Sequence, residues 1–540
     1  MREIKKILRL FFSSPFSVLL LILFVLLGII NLRFTDIGFL SLANLDEYAF
    51  HGSLLTMFDG LHELNLKKLF GFGFFTYGFG FFFINLLVTS PFLHNPDSSI
   101  SIYLPRILSS IGALFGLFYL YRTSRINLSR LSSCLIALIA VSMPAFWINA
   151  SIFHPDWLMT ACLLAALYNF VRNDENPGKN YWYGIIWFGL AISLGKFQAF
   201  TFLPFLLFYL FRNEIVQLNF SQFFSNLKQA VISIISLVLL FILFNPYLLN
   251  PSGLRAFLGM MDINMRSNAT GHGLTVKYTI VHKLFYVIFE NYLNPLLFII
   301  LISIIFYWCI DYFRSVKHKS YHSLAFYCLI YLSYLLFFVN KDWQAYYLGL
   351  IIPSLLLTIP LIVRLQPTWQ ITILIAGLLT QVIFNFKEYS DIACRAKTKE
   401  IILKQQVISN FIVQNIKTKV KSNSTVLISP STGFSFNNLG LNYRNIYVLY
   451  SPLSYEMIDL KAFLRKYNFT DLQKFKFRKM DFIILRKDDI YFNSTALQKR
   501  YDRAAFDTAI VIIKKLETGN IGYSKIGENK DVIIFERAKP

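Results

Sequence analysis

Long apolar runs recur along most of this chain, at 12–32, 101–121, 131–149, 157–171, 182–195, 198–212, 229–249, 294–312, 322–340, 345–364 and 369–386. A bilayer's hydrocarbon core is about 30 Å thick and takes about 20 apolar residues of helix to cross. Inside it, every backbone N–H and C=O must be bonded within the protein, which restricts spanning structures to helices and closed barrels. Runs of this length predict a mainly α, polytopic bundle of about eleven spans. Of 540 residues, 55% are hydrophobic and 15% charged, at a mean hydropathy of +0.51, which excludes a soluble globular protein. The opening "MREIKKILRLFFSSPFSVLLLILFVLLGIINL" has an apolar region too long for a signal peptide and no small-residue cleavage site, so it reads as an uncleaved first helix.

Lys and Arg cluster in the N-terminal tail and then in "YRTSRINLSR", "RNDENPGK", "FRNE", "DYFRSVKHKS" and "VRLQ". By the positive-inside rule these alternate loops are cytoplasmic. An odd span count then leaves the C-terminal part outside, on the face of the first loop. The net charge of +22 does not indicate nucleic acid. About half of the excess follows residue 386 and much of the rest sits in the short loops, so anionic membrane lipid is the expected partner. The five cysteines (Cys134, Cys162, Cys309, Cys328, Cys394) have neither metal nor disulfide spacing.

Two segments depart from the spanning pattern. "FGFGFFTYGFGFFFINLLVTSPFL" (70–93) is apolar, but counting it as a span inverts the charge pattern downstream. It is expected to lie in the interface or re-enter part way, within a first-loop interfacial region at about 44–93. After residue 386, "TVLIS", "NIYVLY", "DFIILRK" and "DVIIFER" read as strands, with "YEMIDLKAFLRKY" and "RAAFDTAIVIIKKLE" as helices. That predicts a membrane domain over 1–386 and an extracytoplasmic α/β domain over 387–540. The second has no Gly-rich phosphate loop and no nucleophile elbow.

Polar residues within a membrane domain are costly and are candidate functional residues by default. On this topology the non-cytoplasmic face gathers Asp46 and Glu47, "FHPDW" with His154 and Asp156, Lys196 in "LGKFQ", His272 in "NMRSNATGHGLTV", and Lys341 with Tyr346 in "NKDWQAYY". Each has a plainer alternative. The acidic pair could cap a following helix, and His154-Pro155-Asp156 could be a helix start. Lys196 could snorkel from a helix end, His272 could be an exposed loop residue, and Lys341–Asp342 a solvated pair. No HxxxH or comparable spacing marks a metal site, so a divalent metal is the lesser alternative, and the sequence identifies no cofactor.

Taken in order, these residues resemble the membrane-embedded GT-C glycosyltransferases, above all the bacterial relatives of protein O-mannosyltransferases and of the aminoarabinose transferase that modifies lipid A. In that family an acidic pair in the first loop precedes an R-L-P-S-A-L helix, whose place Arg106 and "ILSS" take here. A P-D helix start is matched by Pro155-Asp156, and a G-L-A-x-x-x-K-G hairpin by "GLAISLGK". A loop His-Gly is matched by His272-Gly273, and the helix of the final motif by Lys341, Tyr346, Tyr347 and Pro353. The resemblance covers essentially the whole chain. One departure is "FFTYGFG" where relatives carry K-P-P-L-Y; the missing lysine's role passes to Lys67, Lys68 or Lys196.

The resemblance implies a polyprenyl-phosphate-sugar-dependent hexosyl- or pentosyltransferase of a bacterial inner membrane. It would act on a lipid, glycan or protein hydroxyl outside the cytoplasm. Asp46, Glu47 and Asp156 would form the acidic catalytic pocket, Asp46 being the base. Lys196, Lys341, Arg106 or His272 would meet the leaving phosphate, and these with His154 and Tyr346 are the expected substrate-binding residues. The aromatic stretch 70–93 would receive the prenyl chain. The alternatives are a transporter or flippase of lipid-linked saccharides, and an oligosaccharide ligase or polymerase; no internal repeat supports the first.

Overall fold

The computed structural model describes residues 14–75, 77–175, 178–212, 215, 222–270, 277–314, 319–394, 396–429, 432–448, 480–487, 516–518 and 522–538. Each of the eleven apolar runs is largely helical. Among the described residues, Ile100–Ser124, Phe223–Phe244, Lys319–Phe337, Ala345–Ile362 and Pro367–Phe384 are long and apolar enough to cross a membrane. A sixth span results if Arg130–Val141 and Pro144–Ala150, bent by 72°, are taken together. The chain is an integral membrane protein. The other runs are shorter because regular helix is interrupted within them. A π-helical turn at Ala191–Gly195 and a 3-10 stretch at Phe197–Phe202 break the fifth and sixth runs. Such irregular turns collect where backbone is bent towards a site.

Asp156–Glu175 is the central helix, buried along most of its length. It packs against Ile100–Ser124 through small residues: a Cβ on Gly112 would lie 3.2 Å from Leu158 N, and one on Gly116 3.6 Å from the Cα of Ala161. Without a hydrophobic drive between helices in lipid, close backbone approach of this kind supplies the packing energy.

Within 70–93, regular helix is limited to Phe79–Thr89 and the turn Ser90–Phe92, about 20 Å of rise, too short to cross. Phe72, Phe79, Phe81 and Phe82 are instead buried against Phe50, Leu54 and Phe153 in a core of their own.

The C-terminal segment forms a five-stranded sheet in the order β2-β1-β3-β5-β4. The strands are β1 (Val426–Ile428), β2 (Ile446–Val448), β3 (Phe482–Arg486), β4 (Tyr523–Glu528) and β5 (Val532–Arg537). β1 pairs in parallel with β2 and β3; β5 pairs antiparallel with β3 and β4. Four strands fall on the expected segments. β4 was not anticipated, because "YSKIGE" is an edge strand with only Tyr523 buried and with Lys525 and Glu528 facing solvent, a composition that protects an edge and hides the strand pattern. The helices expected at 455–467 and over most of 503–517 lie outside the described residues.

The sheet does not stand apart from the bundle. Ile408, Ile412, Val426 and Phe434 share a core with Ile37, Leu40, Tyr48 and Ile102. Phe434 N donates to Gly38 O, Tyr443 OH donates to Tyr48 O, and Arg444 forms a forked ion pair with Asp59. The sheet therefore sits at the end of the bundle that carries Asp46.

Candidate active site

The first acidic pair opens the helix Leu45–His62. Its cap is Asn44, whose Oδ1 accepts from the N–H groups of Asp46 (3.0 Å) and Glu47 (3.2 Å). Capping by the acidic pair itself is thereby excluded: both carboxylates lie in the first turn, where the helix dipole favours them. Neighbouring residues on a helix point about 100° apart, so the two side chains cannot share a direction. Glu47 turns inward. Its oxygens accept from Arg106 Nε at 2.7 Å, Arg106 Nη2 at 2.6 Å and the Phe153 N–H at 2.7 Å. Arg106 spends its remaining donors on the carbonyls of Asn31, Arg33 and Phe34, which uses all five guanidinium N–H groups. Both side chains are buried. Glu47, expected as catalytic, and Arg106, expected to bind substrate, bond to each other here, and the pair forms a clasp joining the first loop, the first helix, Ile100–Ser124 and the "FHPDW" loop.

Asp46 points the other way and is 52% exposed, into a cavity of about 560 Å³ that also takes in His154, Asp156, Lys196 and Tyr77. These groups form a chain. His154 Nε2 stands 4.0 Å from Asp46 Oδ2, His154 Nδ1 contacts Asp156 Oδ2, and Lys196 Nζ donates to Asp156 Oδ1 at 2.7 Å. Asp156 is both the first residue of its helix and a member of this chain, so a helix start and a place in the cavity wall do not compete. His154 is held flat against Phe50 and edge-on to Tyr77.

Lys196 follows the π-helical turn, and its backbone bridges to Tyr77. The contact requires Gly78, where a Cβ would fall 1.9 Å from Ser193 O. Lys196 Nζ lies 5.3 Å from the Tyr77 ring centre and 5.4 Å from that of Tyr346. Lys67 and Lys68 are exposed, and Lys68 pairs with Glu63, so Lys196 is the lysine that the cavity has.

A second cavity of about 230 Å³ adjoins the first, sharing Tyr77 and Lys196, and is walled by Met261, Met265, Tyr331, Tyr334 and Tyr346. Of the described residues in 70–93, the stretch expected as a prenyl groove, Tyr77 lines it, while Phe72, Phe79, Phe81 and Phe82 pack in a core with Phe50, Leu54 and Tyr247. Lys341 lines neither cavity. It is buried behind Tyr346, with Nζ 3.4 Å from the Tyr346 hydroxyl and 4.5 Å from the Trp343 ring centre. The Tyr346 hydroxyl donates to Asn268 Oδ1. His272 lies outside the described residues.

Sequence reasoning missed Asn149, Gln344, Glu388 and Asp391, which also line the larger cavity. Asn149 Nδ2 donates to Gln344 Oε1 at 2.7 Å, joining the helix Pro144–Ala150 to the start of Ala345–Ser354. The available signals were a polar pair at the ends of apolar runs and two acids three apart just past the last run. Among the described residues no group of three or more His, Cys, Asp or Glu is arranged to hold a metal ion.

The sequence model of the family described as dolichyl-phosphate-mannose-protein mannosyltransferase matches residues 78–249. No curated protein matches significantly. The structure is similar to that of ArnT from Cupriavidus metallidurans bound to undecaprenyl phosphate, with a TM-score of 0.55, 10% identity, and 96% of this chain and 99% of that one covered. The apo state of the same protein gives a TM-score of 0.53 at 10% identity, over 96% of this chain and 99% of that one. The oligosaccharyltransferase AglB from Archaeoglobus fulgidus, in complex with an inhibitory peptide and a dolichol-phosphate, gives 0.50 at 12% identity, covering 92% and 72% of the two chains. The chain has the GT-C fold that its sequence resembles.

Proposed function

We propose that this protein is a GT-C glycosyltransferase that moves a hexosyl or pentosyl unit from a polyprenyl-phosphate donor to an acceptor hydroxyl of a lipid, glycan or protein. The observation that carries the reading is the place of Lys196, in the wall common to an acid-lined cavity and an aromatic one. An ammonium at that boundary suits a phosphate whose lipid tail enters the Met261–Tyr334 side while its sugar faces Asp46. The ArnT and AglB structures, each with a polyprenyl phosphate bound, support this donor class.

In the proposed reaction the acceptor oxygen forms a bond to the anomeric carbon as that carbon's bond to the phosphate oxygen breaks. The acceptor proton passes to Asp46, and the electron pair of the broken bond leaves on the phosphate. Because the leaving group is an anion, it needs cations and donors rather than a strong acid, a part for Lys196, which the Tyr346 ring flanks. A single displacement inverts the anomeric centre. His154, between Asp46 and Asp156, orients the base and holds the cavity's carboxylates apart. The Asp46 end of the bundle is taken as extracytoplasmic, from the Lys/Arg distribution of the loops at the other end. A bacterial inner membrane is the proposed location.

The test is incubation of the purified protein with a polyprenyl-phosphate monosaccharide. Release or transfer of the sugar supports the reading. Turnover restricted to lipid-linked oligosaccharide would instead favour a ligase, and lipid translocation without bond cleavage a flippase.

A further inference from the structure

At the far end of the Ile100–Ser124 helix, about 24 Å along its axis from Arg106, lies a third recess unrelated to the sugar site. It has a volume of about 420 Å³ and is lined by Ser14, Tyr121, Arg122, Arg125, Arg130 and Tyr168. Loops at this end are rich in Lys and Arg throughout, as the positive-inside rule requires, but the rule does not require them to converge. Here they do. The Tyr168 hydroxyl accepts from both Arg122 Nη2 (3.1 Å) and Arg172 Nη1 (3.2 Å), which holds two guanidinium groups to one oxygen. Arg130 is the first residue of Arg130–Val141, so its charge adds to the positive end of a helix dipole instead of offsetting it. Among the described residues, Arg122, Arg125 and Arg130 make no ion pair with a carboxylate. Arg125 also donates to Leu128 O, which fixes it in the rim.

The recess opens beside exposed apolar surface. Phe118 and Leu131 are exposed next to Arg122 and Arg130, and Arg122 lies 5.8 Å over the Phe118 ring. A cluster of uncompensated guanidiniums bordered by apolar side chains matches a phosphate that carries acyl chains.

We propose that this recess binds the phosphate of a net-anionic phospholipid head group in the leaflet opposite the active site. Native mass spectrometry of the full chain in detergent, titrated with phosphatidylglycerol or phosphatidylcholine, tests it. The wild type should retain one phosphatidylglycerol at a concentration at least about tenfold below that needed for phosphatidylcholine, two charge-assisted contacts being enough for that ratio. The Arg122→Gln/Arg130→Gln double variant should lose the preference, and Arg122→Lys should keep most of it. Inorganic phosphate at millimolar concentration should not displace the lipid. Displacement by phosphate at lipid-like concentrations would make a free anion the ligand and overturn the lipid assignment. Equal retention of both lipids by the wild type, or an unchanged preference in the double variant, overturns the site itself. If the double variant does not fold, the wild-type thermal midpoint decides: it should rise with phosphatidylglycerol and not with phosphatidylcholine. None of these readouts depends on sugar transfer.

Discussion

Arg106 and Glu47 meet side by side, Nε to Oε1 at 2.7 Å and Nη2 to Oε2 at 2.6 Å, with both side chains out of reach of solvent. Removing one member of a buried pair leaves the other's charge uncompensated, at a cost of roughly 3–5 kcal/mol. Glu47→Gln and Arg106→Ala should therefore lower the thermal midpoint and the yield in the membrane sharply. Arg106→Lys should rescue little, because an ammonium cannot reproduce five fixed donors. A stable Glu47→Gln protein without transfer activity would return Glu47 to the chemistry.

Asp46 is expected to behave in the opposite way. Asp46→Asn keeps the volume and leaves the Asn44 cap in place, so the protein should accumulate and bind donor normally while transfer falls by about 100-fold or more. Asn44→Ala should instead cost about 1 kcal/mol of stability. Turnover by Asp46→Asn close to wild type at saturating acceptor would remove it as the base.

The two lysines should separate. Lys196→Ala should weaken donor binding by roughly 10- to 150-fold, the range for losing a charge-assisted contact of about 1.5–3 kcal/mol. Lys341→Ala should have the smaller effect, since Lys341 lines neither cavity and lies behind Tyr346 and Trp343. A larger loss of donor affinity in Lys341→Ala than in Lys196→Ala contradicts the arrangement.

Gly78→Ala carries no charge change, yet it should act at the site. The added methyl meets Ser193 O and must push apart the strand-like contact of Tyr77 with Lys196. Reduced donor affinity with Asp46 chemistry otherwise intact is the expected signature, read as a raised KM with a smaller change in kcat.

His51, in the Leu45–His62 helix, joins the first loop to the sheet. It touches Pro96 O, Ser101 and the Tyr443 ring. Burial lowers its pKa from 6.5 to about 4, against a smaller opposing effect of the bond to Pro96 O. The unfolded chain then binds more protons than the folded one between those values. Stability is full above about pH 6.5 and falls as pH drops towards 4, by roughly 3 kcal/mol from this group alone. Thermal midpoints of wild type and His51→Gln across pH 4–7.5 should converge at the acid end; parallel curves would exclude the effect.

The amino-acid sequence by itself determined that this chain lies in a membrane, that its helices follow the apolar runs, and that a strand-rich segment ends it. Those features rest on local composition and on the impossibility of leaving backbone groups unbonded in lipid. It also brought Asp46, His154, Asp156 and Lys196 to notice, since polar residues in such surroundings are few. Only the tertiary structure decided where each one points and what it meets. Asp46 and Glu47 are adjacent and chemically alike, yet a turn of about 100° between them sends one into a cavity and the other to Arg106. Lys196 and Lys341 are both buried lysines, but only one reaches the shared wall of the two cavities. Glu388 and Asp391 join the site from the segment beyond the last apolar run, where two acids three apart were the single local sign and did not say which cavity they would line. Periodicity reports which face of a helix is buried; which residues then meet depends on how distant helices pack, and that no stretch of sequence states alone.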